Sequence, residues 1–96
     1  MGFTWDEVKR EANLAKHGLD FADAWKVFEE PYLERLDTRC DYGEDRWAVL
    51  GRVEGLGVVL VYTEREADVR IISLRKATPD ERRIYEQTIS KRLGPA

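Results

Sequence analysis

Cations crowd the stretch RIISLRKATPDERRIY, residues 70–85, where a strand pattern hands over to a helix start. Arg75 and Lys76 stand just ahead of Thr78, and the first turn of a helix carries a positive partial charge that repels them. The free amides of that turn, with Arg82 and Arg83 behind them, are set to face an anion the local sequence does not supply, such as phosphate. The competing outcome is internal neutralisation by Asp80 and Glu81, with the arginines paired to surface acids. Strict strand alternation sends Val69, Ile71, Ser73 and Arg75 to one face and Arg70, Ile72, Leu74 and Lys76 to the other, so each face ends in a cation.

Two further charge sets accompany this junction. In VYTERE, Thr63 and Arg65 share a strand face, and in DYGEDRW, Glu44 and Arg46 sit two apart, on one side if the strand has begun. Such an acid beside a cation is a salt bridge or a general base kept ionised by its partner. Antiparallel pairing brings Arg65 close to Arg70, not Arg75, so a ligand touching both Arg65 and Arg75 must span the sheet as a nucleic-acid strand does. His17, the sole histidine, follows Lys16 at a helix end, where it either caps the helix or hands a proton to a leaving alkoxide. There is no Gly-rich phosphate loop, HExxH motif or nucleophile elbow. One histidine and the lone Cys40 leave no His/Cys metal cluster within one chain and no internal disulfide. No cofactor is expected. A metal-free reaction fits this set, and RNA strand cleavage asks for no more: the ribose 2′-hydroxyl is the nucleophile, and the protein moves protons and stabilises charge.

Helices and strands must hold these groups. Trp5, Val8, Ala12 and Ala15 recur at helical spacing after Asp6, with Gly18 as the stop, and predict an amphipathic helix whose other side carries Lys9, Asn13 and Lys16. Asp20 caps a second stretch with Phe21, Ala24, Trp25 and Phe28 as its stripe, closed by Pro31. YLERLDTR, RWAVLGRVEG, GVVLVYTERE and VRIISLRKA then read as four strands in an antiparallel meander, joined by CDYGED, EGLG and READ. GVVLVYT and VRIISL are apolar at nearly every position, which predicts central strands covered on both faces. Thr78, Pro79 and Glu81 open the last helix with a capping box, and Gly94-Pro95 ends it. The fold class is α+β, with N-terminal helices packed on a four-stranded antiparallel sheet and a C-terminal helix.

The chain has 96 residues, 43% of them apolar and 36% charged, as expected of a single domain over 1–96. No apolar run approaches the roughly 20 residues of a membrane span, and the start lacks the order of a secretion signal, so a cytoplasmic protein without a membrane partner is expected. The net charge of −3 hides an asymmetry: residues 1–69 hold nine Lys+Arg against sixteen Asp+Glu, and residues 70–96 hold seven against three. Local potential, not the total, decides where an anion docks.

The segments FTWDEVKREANLAKHGLDFADAWKVF, DYGEDRW, VYTERE and RIISLRKATPDERRIY together resemble the BrnT family of toxins from type II toxin–antitoxin modules. The resemblance runs from about Phe3 to Tyr85. It implies a RelE-like fold and a ribonuclease that inhibits translation and growth. It also implies a cognate BrnA-like antitoxin with a ribbon-helix-helix domain, through which alone the complex would touch operator DNA. Carried onto this chain, the family pattern implies catalytic roles for Glu44, Arg65, Arg75, His17 and Tyr85. RNA-phosphate contacts then fall to Lys16, Arg46, Arg70, Lys76 and Arg82. Leu74 stands where relatives commonly place a small residue. The alternative is a catalytically weak or inactive member that serves as the antitoxin's co-repressor.

Overall fold

The structure, a computed structural model, describes residues 2–39 and 43–93; Cys40 and the expected Gly94-Pro95 stop lie outside the described residues. Its elements are β1 (Phe3–Thr4), α1 (Glu7–His17), a 3-10 helix (Phe21–Glu29), β2 (Leu33–Leu36), β3 (Trp47–Val53), β4 (Leu56–Arg65), β5 (Asp68–Lys76) and α2 (Pro79–Leu93). The sheet order is β1-β5-β4-β3-β2. The meander β2 to β5 is antiparallel as expected, but the sheet has five strands among the described residues, not four. The fifth is β1, which runs parallel to β5 through Phe3↔Val69 and Thr4↔Arg70.

One face of the sheet is the core. Val49 and Val53 of β3, Val58, Leu60 and Tyr62 of β4, and Val69, Ile71 and Leu74 of β5 pack with Phe21, Ala24 and Val27 of the 3-10 helix. Those three helix residues line up because a 3-10 helix has three residues per turn, so i, i+3 and i+6 eclipse. An α-helical stripe would have buried Trp25, which instead stays 44% exposed. Gly51 admits the helix: a Cβ there would lie 2.9 Å from a Val27 methyl.

The first helix overturns its expected orientation. Asp6 caps α1 by accepting from the Val8 and Lys9 amides, and Gly18 ends it at φ +70°, as the sequence predicts. Yet Val8 is 75% exposed and Ala12 and Ala15 also face outward, while Asn13 is buried. The cause is that α1 seals an edge rather than covering a face. Among the described residues no strand lies outside β5 beyond Arg70, and Asn13 pairs its amide with the Leu74 backbone there, donating to the carbonyl at 2.8 Å and accepting from the N–H at 3.2 Å. A side-chain amide thus replaces a strand at a position where unpaired backbone groups would be costly. Arg10 binds Asp20 at 2.8 and 3.0 Å and ties α1 to the start of the 3-10 helix.

The other face carries no helix across its centre. Among the described residues α2 borders it on one side and the end of α1, at His17, on another; α2 is held by Tyr85, whose hydroxyl donates to the Pro31 carbonyl at 2.6 Å while the Arg52 guanidinium lies 5.1 Å from its ring centre. The expected burial of both faces holds for the centre of β4, where Val58 to Thr63 are all buried, and is partial in β5. Val59 and Val61 are the floor of an open groove, shielded by the side chains around them.

Candidate functional site

A bulge in β5 builds the open face. Val61 pairs with Ser73, but the next residue of β4, Tyr62, pairs with Ile71, leaving Ile72 as the extra residue. One inserted residue reverses the alternation beyond it. Val69, Ile71 and Leu74 thereby all reach the core, and Arg70, opposite Thr63, joins Ser73 and Arg75 on the open face. The strict alternation that separated Arg70 from Arg75 is corrected by this irregularity.

Register then orders the face into rows. Leu33, Leu50, Val59 and Arg75 lie side by side across β2 to β5, and Arg35, Ala48, Val61 and Ser73 form the next row. Further along, Thr63 pairs with Arg70 and its hydroxyl donates to the Asp45 carbonyl at 2.7 Å. Last, Arg65 Nη2 lies 3.0 Å from Glu44 Oε1, and Arg46 Nε lies 3.5 Å from Glu44 Oε2. Arg65 and Arg75 stand six residues apart in register along β4, about 20 Å at strand rise. They belong to opposite ends of one face.

The Arg75 end is a cavity of about 200 Å³ whose lining includes His17, Arg35, Asp37, Arg39, Ser73, Arg75 and Glu81 over the Ala48, Val59 and Val61 floor. His17 reaches it because Asn13, one turn earlier, fixes α1 to the edge of β5. Arg75 meets Glu81 through two bonds, at 2.8 and 2.9 Å, and Glu81 also accepts from the Thr78 amide at 2.8 Å. The capping box is therefore present, with the Glu81 amide donating to the Thr78 hydroxyl at 3.2 Å. Arg75 first, with help from the Thr78 amide, pulls the Glu81 carboxyl from an ordinary 4.5 down to about 2. The crowded cations of residues 70–85 thus find their first partner inside the chain. Arg83 pairs with Asp80 at 3.1 Å, so it does not join the helix amides in facing an outside anion.

At the far end, Glu44 is held below the usual carboxylate range by Arg65 foremost and then by Arg46. It is an ionised acceptor, which fits a base or an anchor for arginines rather than a proton donor.

The remaining sequence-derived candidates scatter. Tyr85 is buried against Arg52 and bonded to Pro31, outside the Arg75 cavity. Arg82 lines a separate small cavity with Arg52 and Tyr85, its stem against Gly57. Lys16 and Lys76 are exposed and line neither open-face cavity, and the Lys76 carbonyl accepts from Arg75 at 3.1 Å. Sequence reasoning missed Arg35, Asp37 and Arg39, although their i, i+2, i+4 spacing was a strand-face signal. Asp37 is nearly enclosed and binds the Arg39 guanidinium at 2.9 and 2.8 Å, which presents Arg39 at the cavity wall. Among the described residues no three of His, Cys, Asp and Glu gather as metal ligands. Among the described residues no helix is long and apolar enough to cross a membrane.

No curated protein matches the chain. Residues 5–81 match the sequence model of a family described as "Ribonuclease toxin, BrnT, of type II toxin-antitoxin system".

Proposed function

The chain belongs to the BrnT family of ribonuclease toxins of type II toxin–antitoxin systems, and from that premise we propose that it cleaves RNA laid across the open face of the sheet, without a metal ion. The observation that carries this reading is the convergence of arginines from the meander strands and the loop after β2 on one face left free of helices, with His17 at its rim. A strand of phosphates spans what no small anion could: the Arg75 cavity at one end and Glu44, Arg46 and Arg65 at the other.

The reaction needs only proton transfer and charge stabilisation. The ribose O2′ loses its proton and bonds to the adjacent phosphorus, the P–O5′ bond breaks, and the departing oxygen takes up a proton. The products are a 2′,3′-cyclic phosphate and a 5′-hydroxyl. Arg75, Arg35 and Arg39 face the phosphorane charge, and His17 moves a proton in the same cavity. Glu44 and Arg65, about 20 Å away, position the strand together with Arg46 and Arg70. Tyr85 seats α2 and takes no part in proton transfer. Glu81 must release part of its hold on Arg75 when phosphate arrives. The antitoxin of the pair is a BrnA-like ribbon-helix-helix protein, and the complex reaches operator DNA through it.

One observation favours a second reading, a co-repressor with little turnover: the two outer nitrogens of Arg75 are already paired with Glu81. The two readings separate when purified, antitoxin-free protein meets total RNA in EDTA, and ribosome-bound message in parallel, beside Arg75→Ala. Wild type is expected to yield fragments ending in 5′-hydroxyl, and Arg75→Ala to cleave at least about 100-fold more slowly with its circular dichroism intact. Full activity in that variant defeats the assignment, and intact RNA in every wild-type reaction moves the conclusion to the co-repressor.

A further inference from the structure

The open face has a second cavity beside the first. It holds about 230 Å³, and its lining includes the side chains of Leu33, Leu50, Val59 and Ile84, with Arg35 and Glu81 at its polar end. Arg35, Ala48, Val59 and Glu81 line both cavities, so the two lie side by side. In register, Leu33, Leu50 and Val59 continue the same row that ends in Arg75. Ile84 hangs over this row from α2 and is 54% exposed, a large apolar side chain kept in water at the mouth of an apolar trough. Isolated exposed apolar residues need no explanation. Four aliphatic side chains gathered from three strands and a helix, directly beside a cluster of arginines, form a concave site with two chemistries.

We infer that this trough is a nucleobase pocket: it takes the base of a nucleotide adjoining the phosphate held at Arg75, and so sets where RNA is cut. The inference rests on the RNA reading of the open face. The size suits one planar ring system, falling below the roughly 300 Å³ at which pockets for drug-sized ligands begin. An aliphatic slot packs against the faces of a base, as apolar side chains do around extruded bases, and an adjacent cation holds its phosphate. Glu81 cannot read a base edge while it is bound to Arg75 and to the Thr78 amide. The pocket therefore selects by shape and stacking, and its preference among bases is graded rather than absolute.

The test uses a 2′-O-methyl trinucleotide, which cannot be cleaved, and its three single-abasic counterparts, titrated into methyl-labelled protein by NMR. Binding of the intact trinucleotide is expected to move the methyl signals of Leu33, Leu50, Val59 and Ile84 through the ring current of the base. One abasic counterpart should fail to move them and bind about tenfold more weakly. In Ile84→Asp, with Ile84→Ala as a milder companion, the intact and abasic affinities should converge. Equal binding of intact and abasic ligands by wild type, methyl shifts confined to other places, or a preference that survives both variants overturns the pocket. No binding of any of the four overturns the pocket, and the RNA reading falls with it only if ribosome-bound message also stays intact. Base-dependent binding at these methyls by a protein that cuts no RNA supports the pocket and removes only the nuclease.

Discussion

The two faces of one sheet carry opposite chemistry in the same strands. On the covered face, Val49, Leu60 and Leu74 are fully enclosed under the 3-10 helix. On the open face, the neighbouring positions Ala48, Val61 and Ser73 form a shallow floor with arginines standing around it. Stability and binding are kept on opposite faces. Burying branched aliphatics on one side frees the other to hold charges that would be costly inside a core.

The largest stability loss comes from the covered face. Leu60→Ala, at a side chain with no exposure, is expected to cost about 2–5 kcal/mol in urea unfolding. A loss no larger than that of the open-face Arg75→Ala would break the comparison.

Asn13→Ala probes the seam between the faces. It leaves the Leu74 N–H and C=O without their partner on the outer edge of β5 and is expected to cost about 1–3 kcal/mol. Hydrogen exchange should quicken at Leu74, and RNA cleavage should fall as His17 loses its seat. Unchanged exchange at Leu74 would show that the edge does not depend on Asn13.

His17→Ala sharpens the picture of the open face alone. Its cleavage rate is expected to fall about tenfold, less than in Arg75→Ala, with stability within about 0.5 kcal/mol of wild type. An equal loss in the two variants would raise His17 to the principal proton donor.

The smallest effect is electrostatic. Glu81 titrates near 2 in the folded chain against an ordinary 4.5, with Arg75 the first cause. Its contribution is therefore complete above pH 4.5 and is lost as pH falls toward 2. Both partners are partly exposed, which limits the pair to about 1 kcal/mol or less. Wild type should lose more stability than Glu81→Gln between pH 5 and pH 2.5. Parallel acid curves for the two proteins would mean that the pair is not held in solution.

Much of this could be read from residue order because it depends on neighbours in the chain. Asp6 and Gly18 bound α1, Thr78 and Glu81 cap α2, and two-residue turns at Glu54-Gly55 and Glu66-Ala67 join β3, β4 and β5 into a meander. The Glu44–Arg46 pair forms although its strand-spacing condition is not met, because β3 begins only at Trp47 and the two residues meet in the loop before it. Apolar spacing misled where the partner was distant. The Val8, Ala12 and Ala15 stripe marked the wrong side of α1, because the edge of β5 sixty-one residues away asked for an amide and not for methyls.

The chain alone determined the caps, the turns, the strand sequence and the surplus of cations after residue 69, all matters of local propensity and composition. Tertiary structure decided which side of each element is used. A single extra residue at Ile72 set Arg70 on the same face as Arg75, and Glu81 and Arg75 became partners only when α2 folded back to the end of β5. Such choices follow from packing over long separations, where the register of one strand against another fixes every side chain that follows.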